Sequence, residues 1–188
     1  MARDFTAIPP AKVTRTDRAV SDDIWIKQML HRAPVGYLAT ILDGQPFINS
    51  NLYVYDEAAH AIYMHTAKVG RTRDNVQREE RVCFTVTSMG RLLPAPEALE
   101  FSVEYAGVVV FGTASIIEAE AETKHALQIL LDKYAPHLTA GEDYRPPIQD
   151  ELKRTTVYKI AIESWSGKKK EVAEDFPGAY HYHDVIAS

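Results

Sequence analysis

Ala61-Ile-Tyr-Met-His-Thr-Ala-Lys-Val-Gly-Arg71 reads as a short strand that runs into a basic, glycine-containing turn and then into a helix. Ile62, Tyr63 and Met64 have the β-branched and aromatic bias of a pleated element. Arg71-Thr-Arg-Asp-Asn-Val-Gln-Arg-Glu-Glu80 then has the polar composition of a surface helix. Thr66, Lys68 and Arg71 lie at the junction. A strand-to-helix corner offers free backbone N–H groups and the positive end of a helix dipole, and two full side-chain charges make this one suitable for a phosphate group. The same residues also read as an ordinary exposed turn with solvated charges.

Working outward, the neighbouring segments are also strands. Val35-Gly-Tyr-Leu-Ala-Thr-Ile-Leu42 is followed by Asp43-Gly44, a strong hairpin signal, and Pro46-Phe-Ile-Asn-Ser-Asn-Leu-Tyr-Val-Tyr55 returns as its partner. Before this hairpin, Ser21 reads as the N-cap of a short helix with Asp22 and Asp23 in its first turn, an apolar stripe of Ile26, Met29 and Leu30, and an end before Pro34. Arg81 to Thr87 puts Val82, Phe84 and Val86 on one face and Cys83, Thr85 and Thr87 on the other. Residues 88–100, with Pro94 and Pro96, read as a loop. Phe101 to Ile117 reads as one long strand bent by bulges at Gly107 and Gly112. Glu120 to Tyr134 carries Leu127, Leu130, Leu131 and Tyr134 at helical spacing, which lays one face of a helix on the sheet. After a polar loop with Pro146-Pro147, Thr155 to Glu163 alternates as a last half-buried strand. About six hairpin-linked strands with few helices point to a mainly β, antiparallel barrel with flanking helices rather than a doubly wound parallel sheet.

The bulk properties exclude several functions. At 188 residues and 46% hydrophobic content the chain can bury a core of its own, and a net charge of −5 indicates neither a nucleic-acid footprint nor a polybasic membrane patch. The basic run Lys168-Lys-Lys170 is short. Cys83 is the single cysteine, so no internal disulfide forms, and its apolar flanks suggest a buried thiol in a reducing compartment. Met1-Ala-Arg-Asp lacks an apolar signal region and no stretch nears the roughly 20 apolar residues that span a bilayer, so a cytoplasmic protein is expected. There is no Gly-x-Gly-x-x-Gly after a strand, no His-Glu-x-x-His, no Cys-x-x-Cys and no Gly-x-Ser-x-Gly. His181-Tyr-His183-Asp184 is too sparse to predict a metal site.

Four local motifs recur in order: Asp43-Gly-Gln-Pro46, Ile62-Tyr-Met-His-Thr-Ala67 followed by Gly70-Arg71, Glu104-Tyr105 leading into Val108-Val-Val-Phe-Gly112, and Gly167-Lys168. Together they resemble the FMN-binding split-barrel superfamily, which includes pyridoxamine 5'-phosphate oxidases and nitroimidazole-resistance type flavoproteins, with the latter branch the more similar. The resemblance covers residues 21–170, leaving 1–20 as an extended arm, packed on a neighbour or loose, and 171–188 as a tail. It implies a six-stranded antiparallel split β-barrel of Greek-key type that forms a homodimer and holds FMN in a groove at the interface. Carried over, Ile48, Asn49, Ser50 and Asn51 lie beside the flavin ring, and Thr66, Ala67, Lys68 and Arg71 at its phosphate. Lys168 places a positive charge near the ring while Trp165 packs on an apolar face of the site. His65 matches a histidine of the resistance-type proteins and stands next to the flavin as a proton donor or orienting group.

Without the resemblance, Asn49 and Asn51 read as outward polar positions, His65 as a residue capping a strand end, and Trp165 and Tyr105 as packing aromatics. Two departures bear on function. The tail lacks the tryptophan, arginine and proline segment of pyridoxamine phosphate oxidases, which argues against vitamin B6 oxidation. Their Arg-Lys pair is here Arg71-Thr72, so Lys68 or Arg73 supplies the second charge. The resemblance therefore implies an FMN-dependent oxidoreductase that takes electrons from NADH or NADPH and passes them to a small organic acceptor such as a nitroaromatic. Two alternatives remain: a flavin-binding or sensing protein without turnover, and the same fold holding the deazaflavin F420 or haem.

Overall fold

Short polar or glycine-containing breaks separate the apolar runs, and a computed structural model describing residues 6–186 turns each break into a change of direction. In chain order the elements are β1 (Ala19–Val20), α1 (Asp23–Arg32), β2 (Gly36–Leu42), β3 (Gln45–Asn51), β4 (Tyr53–Asp56), β5 (Ala61–Ala67), α2 (Arg71–Arg78), β6 (Arg81–Leu93), β7 (Ser102–Ile116), α3 (Glu120–Tyr134), α4 (Gln149–Leu152), β8 (Thr155–Lys170) and α5 (Tyr182–Ile186). The strands are ordered β3-β2-β6-β7-β8-β5-β4, with β1 added to β8, and every ladder between them is antiparallel. The two end strands, β3 and β4, are consecutive in the chain with Leu52 alone between them, so the sheet curls until its edges meet there. If β3 and β4 count as one interrupted strand and the two-residue β1 is set aside, the expected six strands are present. No helix among the described residues is long and apolar enough to cross a membrane.

The interior follows from period-two alternation. Val82, Phe84 and Val86 of β6 point inward, as expected, to meet Leu38, Ile62, Met64, Val108, Val110, Tyr158 and Ile160. α1 covers this core with Ile26 and Leu30. Its backbone is capped by Asp22, whose carboxylate accepts from the Ile24 N–H at 2.9 Å, so the cap lies one residue beyond the expected Ser21. At the end of α1 the buried Tyr53 donates its hydroxyl to the Leu30 carbonyl at 2.6 Å, and its ring meets Phe84 edge-on at 4.9 Å. α3 lies over β4, β5 and β8, where Ala126 and Leu130 pack on Val54, Ala61, Tyr63 and Val157. β5 is thus buried on both faces along Ala61–Met64, which is why that stretch reads as an unbroken apolar run. Each large side chain fully buried in this way contributes about 1.5–3 kcal/mol.

Several expected boundaries move for tertiary reasons. The return strand 46–55 changes partner at Leu52, β3 pairing with β2 and β4 with β5. Residues 88–93 are strand rather than loop, because β6 continues through an irregularity between Met89 and Leu92 and pairs with β7 as far as Leu93 opposite Ser102. Gly107 sits in regular register opposite Thr87, so it is not a bulge, whereas Gly112 does mark one: the register slips between Phe111 and Gly112 and leaves Glu163 of β8 unpaired. A Cβ at Gly112 would stand 1.9 Å from the Ala161 carbonyl oxygen, so only glycine fits. β8 extends to Lys170, beyond the expected Glu163. Cys83 is half-buried on the outward face rather than in the core. The arm is held by its own chain, Ala19 pairing with Lys168 and Val20 with Gly167. The tail is clamped by Arg91, which holds Glu104 through two 2.8 Å bonds and reaches the Glu174 carbonyl at 2.7 Å, while Glu104 accepts the Val172 N–H at 3.0 Å.

Two measurements check this packing. Gly36→Ala puts a methyl group 2.0 Å from Phe84 Cζ and should cost about 1–3 kcal/mol through overpacking, lowering Tm by about 2–4 °C per kcal/mol in a calorimetric scan. The Arg91 guanidinium holds the Glu104 carboxyl down at about 2, from an ordinary 4.5. A depressed carboxyl stabilises the fold fully above its unfolded value and loses that contribution as pH falls through the folded value. Glu104→Gln should therefore lower Tm at neutral pH, with the gap to wild type closing as pH falls from 4.5 towards about 2.

Candidate functional site

The sheet splits where β3 and β4 part, and some of the groups singled out from the sequence gather at that split. β5 ends with Thr66 opposite Thr156 and Ala67 opposite Thr155 of β8. The chain then leaves the sheet through the exposed turn 68–70 and enters α2 at Arg71. Gly70 occupies the N-cap position, and no side chain caps the helix. The first N–H groups of an α-helix have no intrahelical acceptor, so the start of α2 presents donors and a partial positive charge. Lys68 and Arg71 are both exposed beside it, and among the described residues neither pairs with a carboxylate.

β3 is stitched to this corner by side chains. Asn49 Nδ2 donates to Thr72 Oγ1 of α2 at 3.1 Å, and Asn51 Nδ2 donates to the His65 carbonyl at 3.1 Å. Each amide keeps its acceptor oxygen unengaged among the described residues. Ile48 and Ser50 alternate with them onto the opposite, outward face, where Ile48 is 66% exposed, so the four expected ring neighbours divide two and two.

Thr66 and His65 also face opposite ways. Thr66 Oγ1 donates to the Ala67 carbonyl at 3.0 Å and lies 2.9 Å from the Tyr158 hydroxyl, from which it can accept. The His65 ring is half-buried beside the strand end, takes no hydrogen bond among the described residues, and is pushed below its usual pKa by burial, which favours neutral imidazole. Arg73 donates to Thr156 Oγ1 at 2.8 Å, and Thr156 is the ladder partner of Thr66, so Arg73 as well as Lys68 stands near the corner as a second charge.

Trp165 and Lys168 are not brought to this corner, and they do not share a face. Trp165 donates from Nε1 to Asp23 of α1 at 2.9 Å and packs edge-on against His60 at 4.9 Å, as a packing aromatic. Lys168 stands on the outward face of β8, 5.5 Å from the centre of the Tyr105 ring. His181 and His183 stack at 5.2 Å on the exposed tail, with His183 Nε2 3.1 Å from Asp184 Oδ1; no group of three side chains that could hold a metal occurs among the described residues.

The sequence reading missed Thr72, Asn75, Thr156 and Tyr158. Asn75 is buried on the underside of α2, donates to Thr40 Oγ1 at 2.8 Å, and keeps its Oδ1 without a partner. Thr72, Asn75 and Val76 form the buried face of α2. Their i, i+3, i+4 spacing was legible, but two of the three are polar, and an apolar stripe was the signal sought.

Comparison with known proteins agrees with this architecture. A family model described as pyridoxamine 5'-phosphate oxidase matches residues 22–169. No curated protein matches the chain. Among solved structures, the flavocytochrome Anf3 from Azotobacter vinelandii is 23% identical, covers 92% of this chain and 84% of its own, and superposes with a TM-score of 0.77. The FAD and haem binding protein from Mycobacterium smegmatis is 20% identical over 90% of this chain and 80% of its own, with a TM-score of 0.75. A candidate 5-nitroimidazole antibiotic resistance protein from Bacteroides thetaiotaomicron is 19% identical over 81% of this chain and 90% of its own, with a TM-score of 0.67. These likenesses establish the shared fold. Matched from the cap of α1 to the end of β8, the chain belongs to the pyridoxamine 5'-phosphate oxidase family of split-barrel proteins.

Proposed function

We propose that this chain is an FMN-binding flavoprotein that moves electrons from NADH or NADPH to a small organic acceptor, with the flavin seated where β3, β5 and α2 meet. The observation that carries this reading is the pair Lys68 and Arg71, unneutralised among the described residues, beside the uncapped start of α2. A single phosphate suits that combination: backbone N–H groups and helix dipole in front, two cations at the side. Asn49 and Asn51, already oriented by Thr72 and the His65 carbonyl, keep acceptor oxygens that suit the polar edge of a flavin ring. Bound there, a flavin supplies the redox chemistry, and the chain binds, orients and excludes water. His65, held neutral by burial, can donate or accept one hydrogen bond near the ring and take up a proton as a base. Family membership does not carry vitamin B6 oxidation, since the tail from Glu171 onward has no tryptophan or arginine. A homodimer belongs to the proposal. The outward sheet face exposes Tyr37, Ile41 and Ile48, large apolar groups that a second copy would cover.

A second reading places haem in this fold, alone or beside a flavin. Two of the structurally similar proteins bear names that include haem or cytochrome, and His65 presents a neutral, unengaged imidazole, the form that ligates iron.

Purified protein should show flavin absorption or acquire it on adding FMN, and Arg71→Ala should weaken FMN binding roughly tenfold or more, the worth of one charge-assisted hydrogen bond. A protein that ignores added FMN, or that is monomeric by light scattering, counts against the site. NADH or NADPH should bleach the flavin band; tight binding without bleaching favours a sensor. His65→Ala should leave a flavin band in place while slowing its reoxidation by a nitroaromatic. If a Soret band is present instead and vanishes in this variant, the haem reading is correct.

A further inference from the structure

The grip that holds α2 on the sheet is polar, and it closes on the start of the helix. Thr72, Asn75 and Val76 are the buried residues of α2, and Val76 alone among them is apolar. Asn49 of β3 donates to Thr72 Oγ1, and Arg73 donates to Thr156 of β8. The most buried residue of the helix is Asn75, 1% exposed, which donates from Nδ2 to Thr40 Oγ1 of β2 at 2.8 Å. Thr40 is buried as well and passes its hydroxyl proton to the Phe47 carbonyl of β3, so the contact runs on into the backbone of the sheet. β2, β3 and β8 thus each hold α2 by a side-chain hydrogen bond, all at or before Asn75.

Stability alone does not favour an amide at this place. Among the described residues Asn75 Oδ1 has no partner, and a buried acceptor without one is a cost that leucine, of similar volume, would avoid. What an amide adds is direction. Apolar contact is indifferent to angle, whereas a hydrogen bond weakens steeply as it bends, so a helix seated on hydrogen bonds is fixed in rotation about its axis. Rotation matters in α2 because successive helical residues are set about 100° apart. Arg71 is exposed and Thr72 buried, and a turn of that size would carry Arg71 under the helix and away from the corner.

We propose that Asn75 is a positioning residue for the phosphate: through Thr40 it fixes the rotation of α2 that turns Arg71 and the free N–H groups of the helix start towards the ligand. It acts through the helix rather than by contact with the ligand. This role rests on the flavin reading, and riboflavin, which has the ring of FMN without its phosphate, separates the two. Fluorescence titrations of the dialysed full chain should give wild type a preference for FMN over riboflavin of about tenfold or more, which Arg71→Ala reduces. In the double variant Thr40→Val, Asn75→Leu both partners become apolar groups of similar shape, so Tm should hold or rise. Its preference for FMN should nevertheless fall by about tenfold, with riboflavin affinity at the wild-type value. Thr40→Val alone should act in the same direction and decides the matter if the double variant does not fold. Thr40→Ser, which keeps the acceptor oxygen, should retain the preference. An unchanged preference in the folded variants, or an equal loss of both flavins, overturns the role of Asn75 and leaves the phosphate corner standing. A wild type that binds FMN and riboflavin alike, or an Arg71→Ala chain that keeps the preference, refutes the phosphate corner and the role of Asn75 with it.

Discussion

A sheet whose first and last strands are joined by a single residue cannot stay flat. Because β3 and β4 are separated only by Leu52, the path from one sheet edge through five intervening strands must return to the same point. That closure requirement decides which face of each strand becomes interior, and the interior is where Phe84, Tyr53 and Tyr158 are fully buried. The bulge at Gly112 and Glu163 belongs to the same requirement, since a strand that bends this far must lose register somewhere. α1 and α3 then cover the apolar surfaces that remain, and they are tied together through Lys133. Its ammonium sits 3.6 Å over the Tyr53 ring and donates to the Ala33 carbonyl at 3.0 Å, past the end of α1. Partial desolvation there lowers its pKa to about 8, and α3 is fastened to α1 by this half-buried ammonium.

The candidate site is a by-product of that closure. Where β3 parts from β4 the backbone ladder stops, and strand edges that face each other without pairing carry unsatisfied donors and acceptors. Asn49 and Asn51 bridge the gap with side-chain amides, one to α2 and one to β5. Polar side chains therefore tie β3 to α2 and β5 at this point. A helix start and two free cations stand at the end of the gap, which gives the place an electrostatic sign as well as a shape.

Much of this was legible from local pattern. The strand from Ala61 to Thr66, one residue short of its observed end, the turn and the polar helix after it, the hairpin at Asp43-Gly44 and the helix Glu120–Tyr134 each follow from the nearest few residues. The family resemblance added the site positions, of which Asn49, Asn51, Thr66, Lys68 and Arg71 gather around the split. Ile48, Ser50, Trp165 and Lys168 do not join them. Neighbours on a strand face opposite ways, and a run such as Ile48-Asn-Ser-Asn51 cannot all line one site. The extension of β6 to Leu93 was missed because Pro94 and Pro96 make the region look like a loop, while the pairing that holds it lies across the sheet in Glu104 and in the tail.

By itself the sequence determined the element types, the antiparallel class, the basic strand-to-helix corner and the family. Those depend on periodicity, turn chemistry and charge, which act over a few residues. Only the tertiary structure decided that Leu52 divides two strands, that Asn75 reaches Thr40 beneath α2, that Arg73 reaches Thr156 of β8, and that the arm lies beside Lys168. The contacts of Asn75, Arg73 and the arm join residues tens of positions apart, and they are set by the arrangement of the whole sheet, which no local window contains.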